Sequence, residues 1–562
     1  MKSFELRNMK SFISTGEIDI KPITIFVGKN SSGKSSLIRF PAIIGQTENT
    51  SETIEFRGKF IDYGYFDDVI YNHKGDEIEY KLSFDTKKIA GAINKDQMEQ
   101  SVYNYINSFV LSGQSTSIDV SMKKNNRSIY VDSFGLFIDN NMVFSMKKNG
   151  KDYDLTFKNL EIDEILVDET FIFKYDVQFV KGIPQLNFHN KKIESDVYRQ
   201  IVSGLSKQYE HLELIDEDII SMGGDPEYII KIIDEDIIDE DINEILDNQI
   251  IDYFIDLDEA DDYEEQVKEL LEDDTKFNEF CNDVHTETNR DNELVEIRKE
   301  LFFVSTKIKT SLVVFSFLCQ LILNEVNTFS NNIVYIGPSR ETPKRDYKER
   351  ETTIDYVGKS GENIGTILKQ SNKTVARVSE WFYNNLNFNL KIEEDVENNQ
   401  FSIMVYSKND EIGENLPDVG FGISQLLPII TQIYYDKSEN TCRTFIIEQP
   451  ELHLHPSAQA NLADLFVEKV SEKVGDVILL ETHSEHFIRK MQILIADPDV
   501  PITNADVAIY YVDKMEDGES RILDMKISEN GQFKEPWPTG FFDKSYELSM
   551  DLLRSARKRA QT

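Results

Sequence analysis

The stretch "ITIFVGKNSSGKS", Ile23 to Ser35, decides the fold. A five-residue run, apolar apart from Thr24 and the mark of a buried strand, leads directly into Gly28-Lys29-Asn30-Ser31-Ser32-Gly33-Lys34-Ser35, which fits G-x-x-x-x-G-K-[ST] and opens a helix near Gly33. In that context the glycines let backbone N–H groups turn inward around a phosphate, and the helix N-terminus adds partial positive charge. The expected nucleotide-binding residues are Gly28, Asn30, Ser31, Ser32, Gly33, Lys34, Ser35 and Ser36, with Lys34 reaching the β- and γ-phosphates and Ser35 a ligand of Mg²⁺. A second "GKS" at Gly358 to Ser360 has Thr353 where the leading glycine belongs and no apolar run before it, so it reads as a decoy.

A phosphate loop needs an acid on a neighbouring strand to hold Mg²⁺. The segment "TFIIEQPELHLHP" supplies one in Glu448 at the end of an apolar run. Further on, "DVILLETH" sets His483 after another buried strand, in a position suited to the γ-phosphate. Between the loop and the acid, "DVGFGISQLLPII", Asp418 to Ile430, puts Gly420, Gly422, Ser424 and Gln425 at the start of a helix.

The order phosphate loop, Gly-Ser helix start, acid strand, histidine resembles the ABC-type ATPase heads of the overcoming-lysogenization-defect (OLD) nucleases and of chromosome-maintenance ATPases. The segments "YIGPSR", "VGFGISQLLPII", "IIEQPELHLHP" and "WPTGFFD" are more closely similar to stand-alone bacterial ATPases of the AAA_15/AAA_21 type, members of which serve in phage-defence operons such as Septu and PARIS. The resemblance covers roughly residues 1–85 and 330–545. It implies ATP and Mg²⁺ as cofactors and a head-to-head dimer, or a higher homo-oligomer, with two composite sites. Each would take Lys34, Ser35, Glu448 and His483 from one chain and the signature residues Gly420, Gly422, Ser424 and Gln425 from the other. OLD nucleases continue into a long metal-binding TOPRIM nuclease domain. Only 79 residues follow His483 here, so a separate effector, a nuclease in a defence pair, is the expected partner.

In this alignment Gln449 stands where the catalytic glutamate is usual. A carboxamide orients water but cannot take its proton. Two readings stay open: a slow switch lacking a base, or a base displaced to Glu451. His453 and His455 with Glu451 have spacing suited to an interface loop better than to a metal cluster.

At 562 residues and 40% hydrophobic content the chain supports two or three domains. The expected fold is α/β: a P-loop ATPase head split by a long insertion, with an antiparallel β subdomain inside residues 1–190, an acidic helical insertion at 191–328, and the second half of the head at 329–562. Three scattered cysteines form neither a disulfide framework nor a metal motif, which suits a reducing cytoplasm. The N-terminus lacks an apolar signal core, and the longest apolar run, 311–323, is short of the ~20 residues of a spanning helix, so no membrane role is expected. The formal net charge is −40, and residues 213–274 alone hold 26 acids and two lysines, with "IDEDII" repeated. Such a balance excludes broad non-specific affinity for nucleic acid or anionic lipid. Only "RETPKRDYKER", 340–350, and "RSARKR", 554–559, keep open a DNA-clamp function, and a hydrolysis-dead scaffold is the third alternative.

Overall fold

The computed structural model describes residues 1–91, 115–185 and 315–538, with short interruptions at 126–127, 158–160, 163–164, 167–169, 174–176, 349–351, 409–410, 436–441 and 473–474, and a few positions between 550 and 559. The acidic repeats at 213–274, most of the segment 191–328 and part of both "WPTGFFD" and "RSARKR" lie outside the described residues. Contacts divide the chain into two units, Met1–Leu82 with Lys124–Ile129 and Val326–Thr562, and Ser83–Lys123 with Tyr130–Glu325.

The first unit is built on a six-stranded sheet in the order Ile333–Ile336, Thr444–Glu448, Val477–Glu481, Ile23–Gly28, Val507–Lys514, Ser520–Asp524. Five strands run parallel and the last is antiparallel. The inner strands read as nearly continuous apolar runs because both faces are covered, and Ile23–Gly28 is buried along its whole length. Helices Phe421–Tyr434, Pro456–Glu472 and Glu485–Ala496 contribute Leu426, Ile430, Phe466, Phe487 and Met491 to the core that also takes Ile25, Val27 and Leu480 from the sheet. Each such side chain stabilises by roughly 1.5–3 kcal/mol relative to exposure. The two runs TFIIE and VILLE each end in a buried glutamate at the carboxyl edge of the sheet. In open parallel sheets that edge is where ligands bind.

The same unit carries a small antiparallel sheet in which Phe388–Asp395 pairs with Gln400–Ser407 along eight residues, the strand pair expected from "LNFNLKIEED" and "FSIMVYS". It follows the helix Asn372–Leu386, started by Ser371, whose hydroxyl accepts from Thr374 N–H, and stopped by Asn387 at φ +61°. Helix 315–331 covers part of the apolar run 311–323, and Phe315, Cys319 and Ile322, which belong to the second unit, are buried. No helix among the described residues is long and apolar enough to cross a membrane.

In the second unit an antiparallel meander runs in the order Ser115–Lys124, Ile129–Ile138, Asn141–Asn149, Asp152–Phe157, Thr170–Phe173. One of its turns places Asp139 and Asn140 both at positive φ, the residue types that tolerate a two-residue primed hairpin turn. Phe144 and Phe134 pack there against Phe315.

Candidate nucleotide site at the carboxyl edge of the sheet

The phosphate loop leaves its strand at Gly28 and enters the helix Lys34–Gln46 through Gly33. Gly28 has φ +148°, and a Cβ there would lie 2.1 Å from the Val512 carbonyl oxygen of the adjoining strand. Gly33 has φ +102°, and its Cβ would meet Ser11 Oγ at 2.5 Å. Both positions therefore demand glycine for space as well as for backbone conformation. Lys34 is buried and donates to the Lys29 carbonyl oxygen at 2.6 Å. Burial pulls its pKa down, opposed by the charges of Glu481 and Glu451. Ser32 is wholly buried, and its hydroxyl has no partner.

Glu448 and Glu481 are register partners on adjacent parallel strands. The helix Lys34–Gln46 meets them with Ser35 and Arg39, four residues apart and so on one face. Ser35 Oγ donates to Glu481 Oε2 at 2.7 Å. Arg39 donates through Nε and Nη2 to the two oxygens of Glu448 at 2.6 and 2.7 Å, and Tyr335 O–H adds a third bond at 2.6 Å. Burial alone would lower the Arg39 pKa, but the hydrogen bond and charge of Glu448 outweigh it and the net movement is upward. Burial, and then the neighbouring Glu448 charge, raise Glu481 above the ordinary glutamate range.

Beyond Glu448 the chain turns through Gln449 at φ +46°, its N–H bonded to the Glu481 carbonyl oxygen at 2.8 Å. Arg340, buried behind this turn, donates to the carbonyl oxygens of Glu448 at 2.7 Å and Gln449 at 3.2 Å. Burial lowers its pKa to about 10 against the pull of Glu451 and Glu448. Glu451 is 8% exposed. Its Oε1 accepts from the His483 N–H at 2.6 Å, while Oε2 is buried without a partner. Burial raises its pKa, opposed chiefly by that N–H. His483 Nε2 is likewise buried and unpartnered, and burial together with the Lys34 charge lowers the ring to about 4.

The structure thus brings Lys34, Ser35, Glu448, Glu451 and His483 to one edge, and adds Arg39, Tyr335 and Glu481, which sequence reasoning passed over, and Arg340, read there only as part of a basic stretch. It joins Ser35 to Glu481, and joins Glu448, expected at the metal, to Arg39. A signal for Glu481 was present, since an acid closing the apolar run VILLE is out of place in a core. The signature segment makes its own bonds locally: Ser424 Oγ donates to the Phe421 carbonyl oxygen at 2.8 Å, and Gly422 sits so close to the His453 carbonyl that a Cβ would approach it to 2.6 Å. Gly420 opens this helix, Gln425 is buried with an unpartnered Nε2, and Phe421, half exposed, lies edge-on to the His453 ring. His455 Nδ1 pairs with Ser457 Oγ. Of the basic stretch at 340–350, Arg340 is buried and Arg345 pairs with Asp418 beside the signature.

The profile of AAA_15, the AAA ATPase domain, matches residues 1–488, and that of DUF3696, a protein of unknown function, matches residues 502–552. No functionally curated protein matches the chain. Similar solved structures include the Smc head domain with an extended coiled coil bound to the C-terminal domain of ScpA derived from Pyrococcus furiosus, at 13% identity over 99% of both chains with a TM-score of 0.36. Two others are the SmcHead bound to the C-winged helix domain of ScpA, at 10% identity over 94% of this chain and 98% of that one with a TM-score of 0.37, and the SMC head domain from Thermotoga maritima, at 8% identity over 94% and 99% with a TM-score of 0.33. The resemblance of the sequence motifs to AAA_15 proteins therefore holds at the level of the family: the chain belongs to AAA_15, the AAA ATPase domain family.

Proposed function

We propose that this protein is an ATP-driven switch that binds ATP at the loop Gly28 to Ser36, hydrolyses it at the edge formed by Glu451 and His483, and alternates between a closed dimer and open heads. One observation carries this reading. Around a complete phosphate loop, the buried Glu451 Oε2 and His483 Nε2 are left without partners, and both groups act electrostatically on Lys34 or feel its charge. Buried polar atoms are seldom left unpaired without a functional reason. A bound γ-phosphate and its attacking water would satisfy them.

In the proposed step Lys34 leaves the Lys29 carbonyl for the β- and γ-phosphates. Water gives its proton to Glu451, its oxygen bonds to the γ-phosphorus, and the bond to the bridging β–γ oxygen breaks, releasing ADP. A carboxylate raised by burial suits that task, since a base works best when its pKa approaches the working pH. His483, neutral, offers an N–H to the γ-phosphate, and Gln449 contributes by orienting water. Ser35 and the strand-end carboxylates are hard oxygen donors of the kind Mg²⁺ takes. When bound, Mg²⁺ would neutralise charge on the β- and γ-oxygens. Gly420, Gly422, Ser424 and Gln425 would face the nucleotide of a second copy.

The output is proposed to pass to a separate effector, a nuclease in an anti-phage defence pair, and this part rests on the motif resemblance alone. The test is equilibrium binding of a fluorescent ATP analogue, scattering mass with and without ATP, and single-turnover hydrolysis. Wild type should bind, dimerise and hydrolyse, and Lys34→Ala should do none of these. Analogue affinity unchanged in Lys34→Ala would end the reading. Salt-dependent DNA shifts that require ATP would favour the clamp instead.

A further inference from the structure

Arg340 opens the basic stretch 340–350 yet is 7% exposed. Burial works against its charge, and Glu451 and then Glu448 supply the opposing charge. Its terminal nitrogens donate to two consecutive main-chain carbonyls, those of Glu448 and Gln449, and its Nε is buried without a partner. The Gln449 carbonyl oxygen also accepts from the Leu452 N–H at 3.3 Å, which closes the turn Gln449-Pro450-Glu451-Leu452. Proline presets the second position of such a turn, and Glu451 is its third residue. The guanidinium therefore grips the first residue of the turn that carries Glu451, where Gln449 holds a disfavoured φ of +46°. The main chain on either side of Arg340 is fixed in its turn. Gly337 N–H donates to the Lys359 carbonyl oxygen at 2.9 Å, and Glu341 N–H to that of Ser360 at 2.8 Å. The bracing loop is the second "GKS". Its Ser360 N–H and hydroxyl are both spent on Glu362 Oε2, at 2.9 and 2.7 Å. Gly361, at φ +84°, abuts the helix Phe421–Tyr434, since a Cβ there would lie 2.6 Å from Pro428 Cγ.

From this geometry we infer that Arg340 is a positioning residue for ATP hydrolysis: by holding the carbonyls of Glu448 and Gln449 it fixes the turn that aims Glu451 at the attacking water. The inference rests on the reading of Glu451 as the proton acceptor given above. The His483 N–H and the Thr482 side chain steady the carboxyl group from the neighbouring strand end. Arg340 fixes the main chain beneath it, so the direction of the unpartnered Oε2 depends on both supports. An acceptor displaced by about 1 Å can lose on the order of 100-fold in rate. Arginine suits the task because its rigid planar fork spans two acceptors at once, whereas lysine offers a point donor on a flexible stem. A buried guanidinium is a costly device for closing a turn, and its use here marks a turn whose exact placement matters. The second "GKS" thus acts as the brace behind the arginine, its serine donors turned to its own carboxylate.

The experiment is a double-mutant cycle on the full-length protein, reading single-turnover ATP hydrolysis and equilibrium binding of a fluorescent ATP analogue. Arg340→Met should slow hydrolysis about 10- to 100-fold while analogue affinity stays within about threefold. Arg340→Lys should fall between Arg340→Met and wild type. In a Glu451→Gln background, Arg340→Met should cost no more than about twofold, because the group that it aims is already gone. Should Arg340→Met fail to fold, Arg340→Lys carries the same comparison in both backgrounds. Losses that multiply in the double variant overturn the inference, since Arg340 would then act independently of Glu451. So does an unchanged rate in Arg340→Met, or a fall in analogue affinity that accounts for the fall in rate. A wild type that binds the analogue without hydrolysing ATP, or a Glu451→Gln variant at the wild-type rate, would remove the reading of Glu451 and this inference with it.

Discussion

Replacing Glu451 by glutamine separates the two readings of the "EQPE" strand end. The amide keeps an oxygen for the His483 N–H, which now bonds to Oε1 at 2.6 Å, so the turn should survive. Because the carboxylate is 8% exposed and its pKa is raised by burial, removing its charge should leave stability unchanged or slightly higher at neutral pH. What disappears is the proposed proton acceptor. General-base assistance contributes about 10²–10⁴-fold, or roughly 3–5 kcal/mol of transition-state stabilisation at ~1.4 kcal/mol per decade. Single-turnover hydrolysis should therefore fall at least about 100-fold while ATP affinity holds within about threefold. Gln449→Glu should be neutral or harmful, since it brings another negative charge to an edge already holding Glu448, Glu451 and Glu481. A rate for Glu451→Gln within about threefold of wild type, with Gln449→Glu accelerated about tenfold, would refute the argument and show that the strand end lacks a base.

Three further outcomes are expected. Arg39→Met strands the buried Glu448 carboxylate and should cost roughly 3–5 kcal/mol; Arg39→Met combined with Glu448→Leu should recover most of that loss by calorimetry, whereas an uncorrected double variant would show that the pair is not the cause. The hydrolysis rate should rise with pH through a point above 4.5, where Glu451 loses its proton, and then pass 6.5 without a break, because His483, at about 4, is already neutral there. The His483 ring pKa, followed by nuclear magnetic resonance, should move upward in Lys34→Met, since the lysine charge is one of the two forces holding it down; no movement would place the lysine farther away than the structure does.

Sequence reading reached what is encoded locally. The phosphate loop declares itself because a tight turn, a close backbone approach and a helix start must follow one another within a few residues. The apolar runs ITIFV, TFIIE and VILLE declare strands because both sheet faces are covered. What stayed hidden is pairing across sequence distance. Nothing near Arg39 says that it meets Glu448, or that Ser35 meets Glu481, since those contacts exist only after strands from opposite ends of the chain lie side by side. The four-residue spacing of Ser35 and Arg39 was the one local hint that both face the same edge. Arg340 was legible only as part of a basic cluster, because its partners are backbone carbonyls, which carry no sequence signature.

The position of Ile23–Gly28 within the sheet has a kinetic meaning. This strand leaves the ribosome first among the six, yet its neighbours on either side begin pairing at Ile478 and Val507. At about 5–20 residues per second, its unpaired edges wait roughly 20–100 s for partners. During that interval a short, mostly apolar strand with open hydrogen-bonding edges is an aggregation hazard, and such long-range pairing also slows folding itself. The sheet thus cannot begin to assemble its centre until residues 478–512 have been made, so the yield in the cell should track translation speed and chaperone supply more closely than final stability.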